Sequence, residues 1–162
     1  MTKPNQHTIT ALVQNEPGTL NRLVSLFRRR AFSLSSLNAG DCEEEGLSRL
    51  TIVVNGDENT LRQCARQLEK LIDVVEVDDL PHHQAVQREL ALIKVAASAE
   101  KRREVMDISQ AMHCEVVHLG LDDITLQMSA PPSRINSVIQ LLIPYGVKQV
   151  VRSGLVAIRI EG

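Results

Sequence analysis

An α+β fold that uses one βαββαβ unit twice is what this sequence predicts, and two observations carry the prediction. Stretches alternating at period two and stretches with apolar residues at helical spacing follow one another in the same order over residues 8–77 and again over 90–151. A polar stretch containing Pro81 and two histidines, Asp78–Gln87, separates the two runs.

Thr8–Gln14 alternates, with Ile9, Ala11 and Val13 on one face, and Asn15-Glu16-Pro17-Gly18 breaks the pattern as a turn. Leu20, Leu23, Val24, Phe27 and Ala31 then recur at helical spacing opposite Asn21, Arg22, Ser25, Arg28 and Arg29, which predicts an amphipathic helix. Ser33–Cys42 reads as a second strand, Glu43-Glu44-Glu45-Gly46 as a hairpin loop, and the β-branched Leu47–Val54 as a third strand ended by Asn55-Gly56-Asp57. Asp57 or Asn59 caps a second helix carrying Leu61, Cys64, Ala65, Leu68, Leu71 and Ile72, and Val74–Val77 is a fourth strand. The second unit reads as a strand at Leu90–Ala96, a helix from Ala99 to Met112, strands at Cys114–Leu119 and Ile124–Met128, a helix at Ser133–Ile143 and a strand at Val147–Val151, with Leu155–Ile160 as one strand more. The domain boundaries follow as 6–80, a linker at 81–87, and 88–162.

Each unit is near the lower size limit for a stable core, so packing between subunits is expected. Two helices on one face of an antiparallel sheet leave the other face or an edge to be covered, and a homodimer is the simplest cover. The segment Leu34-Ser35-Ser36-Leu37, without proline or charge, is the candidate edge.

The 162 residues are 43% hydrophobic and 23% charged, the composition of a globular protein, with a net charge of -2. That charge, one Tyr, two Phe and no Trp disfavour nucleic acid as a partner. Cys42, Cys64 and Cys114 are far apart without a C-x-x-C pair, which fits reduced thiols packed as small hydrophobes. Met1–His7 is polar, and no apolar run approaches the roughly 20 residues of a membrane span, so a cytoplasmic protein is expected.

Asn15-Glu16-Pro17-Gly18-Thr19-Leu20 joins a strand to a helix, and free N–H groups at a helix N-terminus attract a carboxylate; a plain tight turn is the alternative. Arg28-Arg29-Arg30 closes the first helix, where positive charge complements the dipole, and is also a candidate contact for an acidic partner surface. Glu43, Glu44 and Glu45 read as a solvated loop. Alternation would put His118 on the face of Cys114, but with His113 these do not make a four-ligand metal site, and none is expected. No nucleophile–base arrangement, P-loop or G-x-G-x-x-G is present, so no catalytic activity is expected.

N-E-P-G-T-L, followed by L-F-R-R-R-A-F-S-L-S-S-L and L-S-R-L-T-I, resembles the small regulatory subunit of acetolactate synthase (acetohydroxyacid synthase). The resemblance continues through Arg88-Glu89-Leu90, Leu92-Ile93-Lys94-Val95 and Arg152-Ser153-Gly154, nearly the whole chain. It implies an N-terminal ACT domain, a C-terminal ferredoxin-like domain, and a catalytic large subunit as partner that carries thiamine diphosphate, Mg and FAD, with no cofactor on this chain. It also implies feedback inhibition by valine or another branched-chain amino acid bound between two ACT domains, against Asn15, Glu16, Pro17, Gly18, Thr19 and Leu20 of one and Ser33 and Leu34 of the other. Inhibitor-sensitive members typically read Gly-Tyr-Asn where this chain reads Ala31-Phe32-Ser33. Losing a hydrogen bond to a charged ligand group costs about 1.5 to 3 kcal/mol, so a weakened valine response is expected. A stand-alone ACT-type sensor of an amino acid or a metal that controls transcription is the competing reading, and it lacks a visible DNA-binding segment.

Overall fold

A computed structural model describes residues 5–160. The chain folds as two compact units, one running up to Gln87 and including the segment from Leu155 onward, the other Arg88–Gly154.

The first unit contains β1 (Gln6–Gln14), α1 (Thr19–Arg29), β2 (Ser33–Asp41), β3 (Leu47–Asn55), α2 (Glu58–Leu68) and β4 (Val74–Asp79), the predicted βαββαβ order. Its antiparallel sheet runs β2-β3-β1-β4, so β2, which carries Leu34-Ser35-Ser36-Leu37, is at one edge and β4 at the other. Ile9, Ala11 and Val13 of β1 join Leu50, Ile52 and Val54 of β3 in a core closed by Leu23, Leu26 and Phe27 of α1 and Leu61, Cys64 and Leu68 of α2. Burial raises the Cys64 thiol to about 12, which makes it an inert core residue.

The chain ends of the helices explain several residues. Asp57 is the N-cap of α2, its carboxylate accepting from Thr60 N–H at 2.8 Å. α1 ends in a Schellman motif: Phe32 N–H donates to Phe27 C=O at 3.0 Å, Ala31 N–H to Arg28 C=O at 3.2 Å, and the Phe27 and Phe32 rings meet edge to face at 6.1 Å. Ala31 therefore sits at φ 53°, a left-handed position that glycine occupies at lower cost. The apolar stripe of α1 is narrower than its sequence implies, because Leu20 and Val24 are about half exposed. Likewise α2 stops at Leu68, so Ile72 falls beyond the helix and is 88% exposed.

The face of this sheet away from the helices is largely covered from within the chain. Thr8, Thr10, Leu12, Thr51 and Val53 are buried there, Gln87 donates to Thr8 Oγ1 at 3.3 Å, and Arg159 makes a bidentate pair with Asp78 while donating to Asp79 C=O. Arg159 belongs to β9 (Val156–Arg159), which the sequence pattern groups with the second unit and the fold returns to the first. The 81–87 segment, linker-like in sequence, holds a 3-10 turn at His82–Gln84 and the start of β5 (Ala85–Ala96), with which β9 pairs. Polar composition hides this strand because its inward positions include Gln87 and Glu89, whose side chains are buried with hydrogen-bond partners.

The second unit comprises the rest of β5, α3 (Arg102–Ala111), β6 (Glu115–Leu119), β7 (Asp123–Ala130), α4 (Pro132–Leu142) and β8 (Val147–Arg152), in sheet order β6-β7-β5-β8. Ala91, Ile93 and Val95 pack with Ile124, Leu126 and Met128 beneath Val105, Ile135, Val138 and Leu142. α3 begins at Arg102 rather than Ala99, after a turn closed by Lys101 N–H on Ser98 C=O. Glu89 is buried against Arg152, whose Nη1 also donates to Asn136 at 2.7 Å, so the Arg152-Ser153-Gly154 motif is anchored inside this unit. Both units thus have the ferredoxin-like βαββαβ order.

Candidate functional site

Glu16-Pro17-Gly18-Thr19 is a type II turn, with Pro17 at its second position, Gly18 at φ 93° and ψ -12°, and Thr19 N–H donating to Glu16 C=O at 3.2 Å. Glycine is required there because an L side chain rarely adopts that φ, and an added Cβ would lie 3.1 Å from Arg22 Nη1. The turn leads straight into α1, whose first internal bond is Arg22 N–H to Gly18 C=O, so the Leu20 and Asn21 N–H groups precede the helix ladder and point out of its N-terminus.

A pocket opens at this turn. It joins Asn15, Glu16, Gly18, Thr19 and Leu20 to Ala39, Gly40 and Asp41 at the end of β2 and Ser48 at the start of β3. Space remains open at Gly40, where an added Cβ would meet nothing within 4 Å. Thr19 is 5% exposed, and its buried hydroxyl has no hydrogen-bond partner. Asn15 Nδ2 approaches Asp41 Oδ1 at 3.4 Å, which gathers an amide oxygen and two carboxylates, Asp41 and Glu16, beside the helix N-terminus. The arrangement offers N–H donors for a carboxylate and oxygen acceptors for an ammonium, the two halves of an α-amino acid.

Behind the turn, Arg22 pairs with the buried Asp73 through Nε and Nη2, the latter at 2.8 Å, and Gln14 N–H donates to Asp73 C=O at 2.8 Å. The Arg22 hydrogen bonds hold the Asp73 carboxyl below the usual carboxylate range, against the opposing effect of burial. A depressed folded value means the pair contributes stability above the unfolded carboxylate value, near pH 4, and loses it as pH falls through the folded value. The gap in urea midpoint between the wild type and Asp73→Asn is therefore expected to be constant from pH 7 to pH 5 and to close below about pH 4.

The turn residues predicted for a ligand are thus together, but Ser33 and Leu34 are not with them in one chain. Ser33 pairs with Asn55 and Asp41 with Ser48, so the start of β2 lies at the opposite end of a nine-residue strand, about 27 Å away. At that end Asn55 Nδ2 donates to Ser33 Oγ at 3.1 Å, Ser35 Oγ to Asn55 Oδ1 at 2.6 Å, and Gln6 Nε2 to Ser35 Oγ at 2.9 Å. The sequence pattern singles out neither Asp41 nor Asn55. Hairpin register is the signal that could find them, since it sets Asp41 beside the first turn and Asn55 across from Ser33. Arg28, Arg29 and Arg30 are exposed at the far end of α1.

The residues considered for metal are separated. His113 is the left-handed cap of α3, at φ 57°, with Cys114 N–H donating to Ser109 C=O at 2.7 Å. Cys114 and Val116 pack on the second core, whereas a register shift between Val116 and His118 turns His118 to the other face. Alternation therefore fails at this bulge, and no cluster of three or more His, Cys, Asp or Glu suited to a metal is present among the described residues. The three cysteines are free thiols. No helix among the described residues is long and apolar enough to cross a membrane.

Two family models match the chain: an AHAS small subunit-like ACT domain over residues 9–76, and the small subunit of acetolactate synthase over 88–161. A probable acetolactate synthase small subunit from Archaeoglobus fulgidus is 39% identical over 152 residues, covering 94% of this chain and 95% of its own. The acetolactate synthase small subunit of Bacillus subtilis is 40% identical over 150 residues, 92% of this chain and 87% of its own. In structure the chain is similar to the acetolactate synthase small subunit from Thermotoga maritima, with a TM-score of 0.91 and 32% identity over 98% of this chain and 99% of that one.

Proposed function

The chain belongs to the acetolactate synthase small-subunit family, and on that footing we propose that it is a regulatory, non-catalytic subunit that pairs with itself, senses a branched-chain amino acid and activates a large catalytic subunit. Thiamine diphosphate, Mg and FAD belong to that large subunit. The supporting observation is the pocket at Asn15–Leu20, with its helix N-terminus and its acidic rim, next to an open strand edge. If two β2 edges pair antiparallel about a twofold axis near Leu37, Ser33 and Leu34 of one copy come opposite Asp41 and Gly40 of the other. The separation seen within one chain then completes the pocket between two. Leu20–Asn21 amides take the effector carboxylate, Asn15 and Asp41 its ammonium, and Leu20 and Leu34 its side chain. Ser33 offers one hydroxyl, so the valine response is weaker than an asparagine there would allow.

A transcriptional regulator is not favoured, since the relatives are acetolactate synthase small subunits. Adding the purified chain to its cognate large subunit is expected to raise turnover several-fold, and the effector to lower it through a coupling free energy of about 1 to 3 kcal/mol. Unchanged turnover at saturating chain would rule the proposal out.

A further inference from the structure

The C-terminal ends of α1 and α2 converge on a groove lined by Leu26, Arg29, Arg30, Gln67, Lys70 and Leu71. Arg28 and Arg66 add two more cations on the same helix turns. Four arginines elsewhere are held in ion pairs, Arg22 with Asp73, Arg49 with Glu43, Arg152 with Glu89 and Arg159 with Asp78, while Arg62 and Arg103 are exposed and stand apart from the groove lining. Among the described residues Arg28, Arg29, Arg30, Arg66 and Lys70 have no ion pair. One cation at each helix end suffices to complement the dipole, and further like charges repel one another. Next to this groove Ile72 is 88% exposed, directly after Leu71 in its wall. An exposed apolar side chain next in sequence to a groove that carries three unpaired cations, with Glu69 as the acidic residue of the same turn, is the composition of a docking centre for an acidic partner.

We propose that this surface, Arg29, Arg30 and Lys70 around the Leu26–Leu71 groove with Ile72 beside it, docks an acidic segment of the catalytic large subunit. The proposal rests on the regulatory-subunit reading above. The surface is distinct from the β2 edge and from the turn pocket: α1 carries the effector turn at its N-terminus and the cations at its C-terminus, eleven residues or about 16 Å apart. A ligand-induced tilt of that one helix then moves the docking surface directly.

The test is activation of the cognate large subunit by full-length chain at increasing concentration, at low salt and at 0.5 M salt. Arg29→Glu with Arg30→Glu, and separately Ile72→Asp, are each expected to raise the half-saturating concentration at least tenfold at low salt. Arg103→Glu, an exposed cation of the second unit, is expected to leave it unchanged. Wild-type half-saturation is expected to rise with salt, and the Arg29/Arg30 variant to lose most of that salt dependence. Circular dichroism and oligomeric state matching the wild type exclude misfolding of the variants. Wild-type activation with unaltered variants overturns this docking surface and leaves the regulatory reading intact; absence of wild-type activation and binding overturns both.

Discussion

Calorimetric titration of valine, leucine and isoleucine into the purified chain is expected to give saturable binding of at least one of them, and Gly18→Asp is expected to abolish it at millimolar concentrations. Three effects act together in that variant. The left-handed backbone at φ 93° becomes strained by about 1 to 2 kcal/mol. The new Cβ, 3.1 Å from Arg22 Nη1, pushes on the side chain that ties α1 to Asp73. A carboxylate at the helix N-terminus also competes for the N–H groups that would receive the effector's own carboxylate. Gly18→Ala separates these effects: it carries the strain without the charge, so it should weaken binding rather than remove it. If Gly18→Asp binds as the wild type does, the turn is only a turn. If nothing binds the wild type while the chain still activates its large subunit, the feedback site is impaired and Ser33 is the first residue to restore to asparagine.

Leu23→Ala is expected to destabilise the first unit by about 3 kcal/mol and to lower its melting temperature by roughly 10 to 20 °C. Leu23 is fully buried on the inner face of α1, in a core built from both helices and the central strands, and its removal leaves a cavity that rigid neighbours fill only in part. Leu20→Ala, three residues away on the same helix, is the comparison: that side chain is 46% exposed, and its loss should cost well under 1 kcal/mol while weakening effector binding. Equal losses from the two variants would mean that the packing of α1 differs from that described above.

The contrast between Leu23 and Leu20 also marks how far a sequence can be read. Period-two and helical patterns locate the strands and helices of both units in their order, because burial of one face imposes those periods on any chain that folds this way. They do not say which apolar positions of a helix face inward when the stripe is broad, so Leu20, Val24 and Ile72 read as core residues and are exposed. Alternation fails at β6, where one bulged residue reverses the face of His118. Polar composition misjudges the start of β5, where the buried Gln87 amide donates to Thr8 and the buried Glu89 carboxylate accepts from Arg152.

The turn chemistry of the candidate site is written locally: Pro17 and Gly18 in adjacent positions specify a type II turn, and a helix pattern directly after it exposes free N–H groups. Family membership is equally legible, since it rests on residue order along the chain. The assembled sheet was needed for everything that depends on register between distant strands. It brought Asp41 to the first turn, carried Ser33 and Asn55 to the opposite end, left β2 at an open edge, and returned Arg159 to Asp78 from 81 positions away. Local backbone preference acts over a few residues, whereas these contacts exist only once many strands have paired, so no window of sequence contains them.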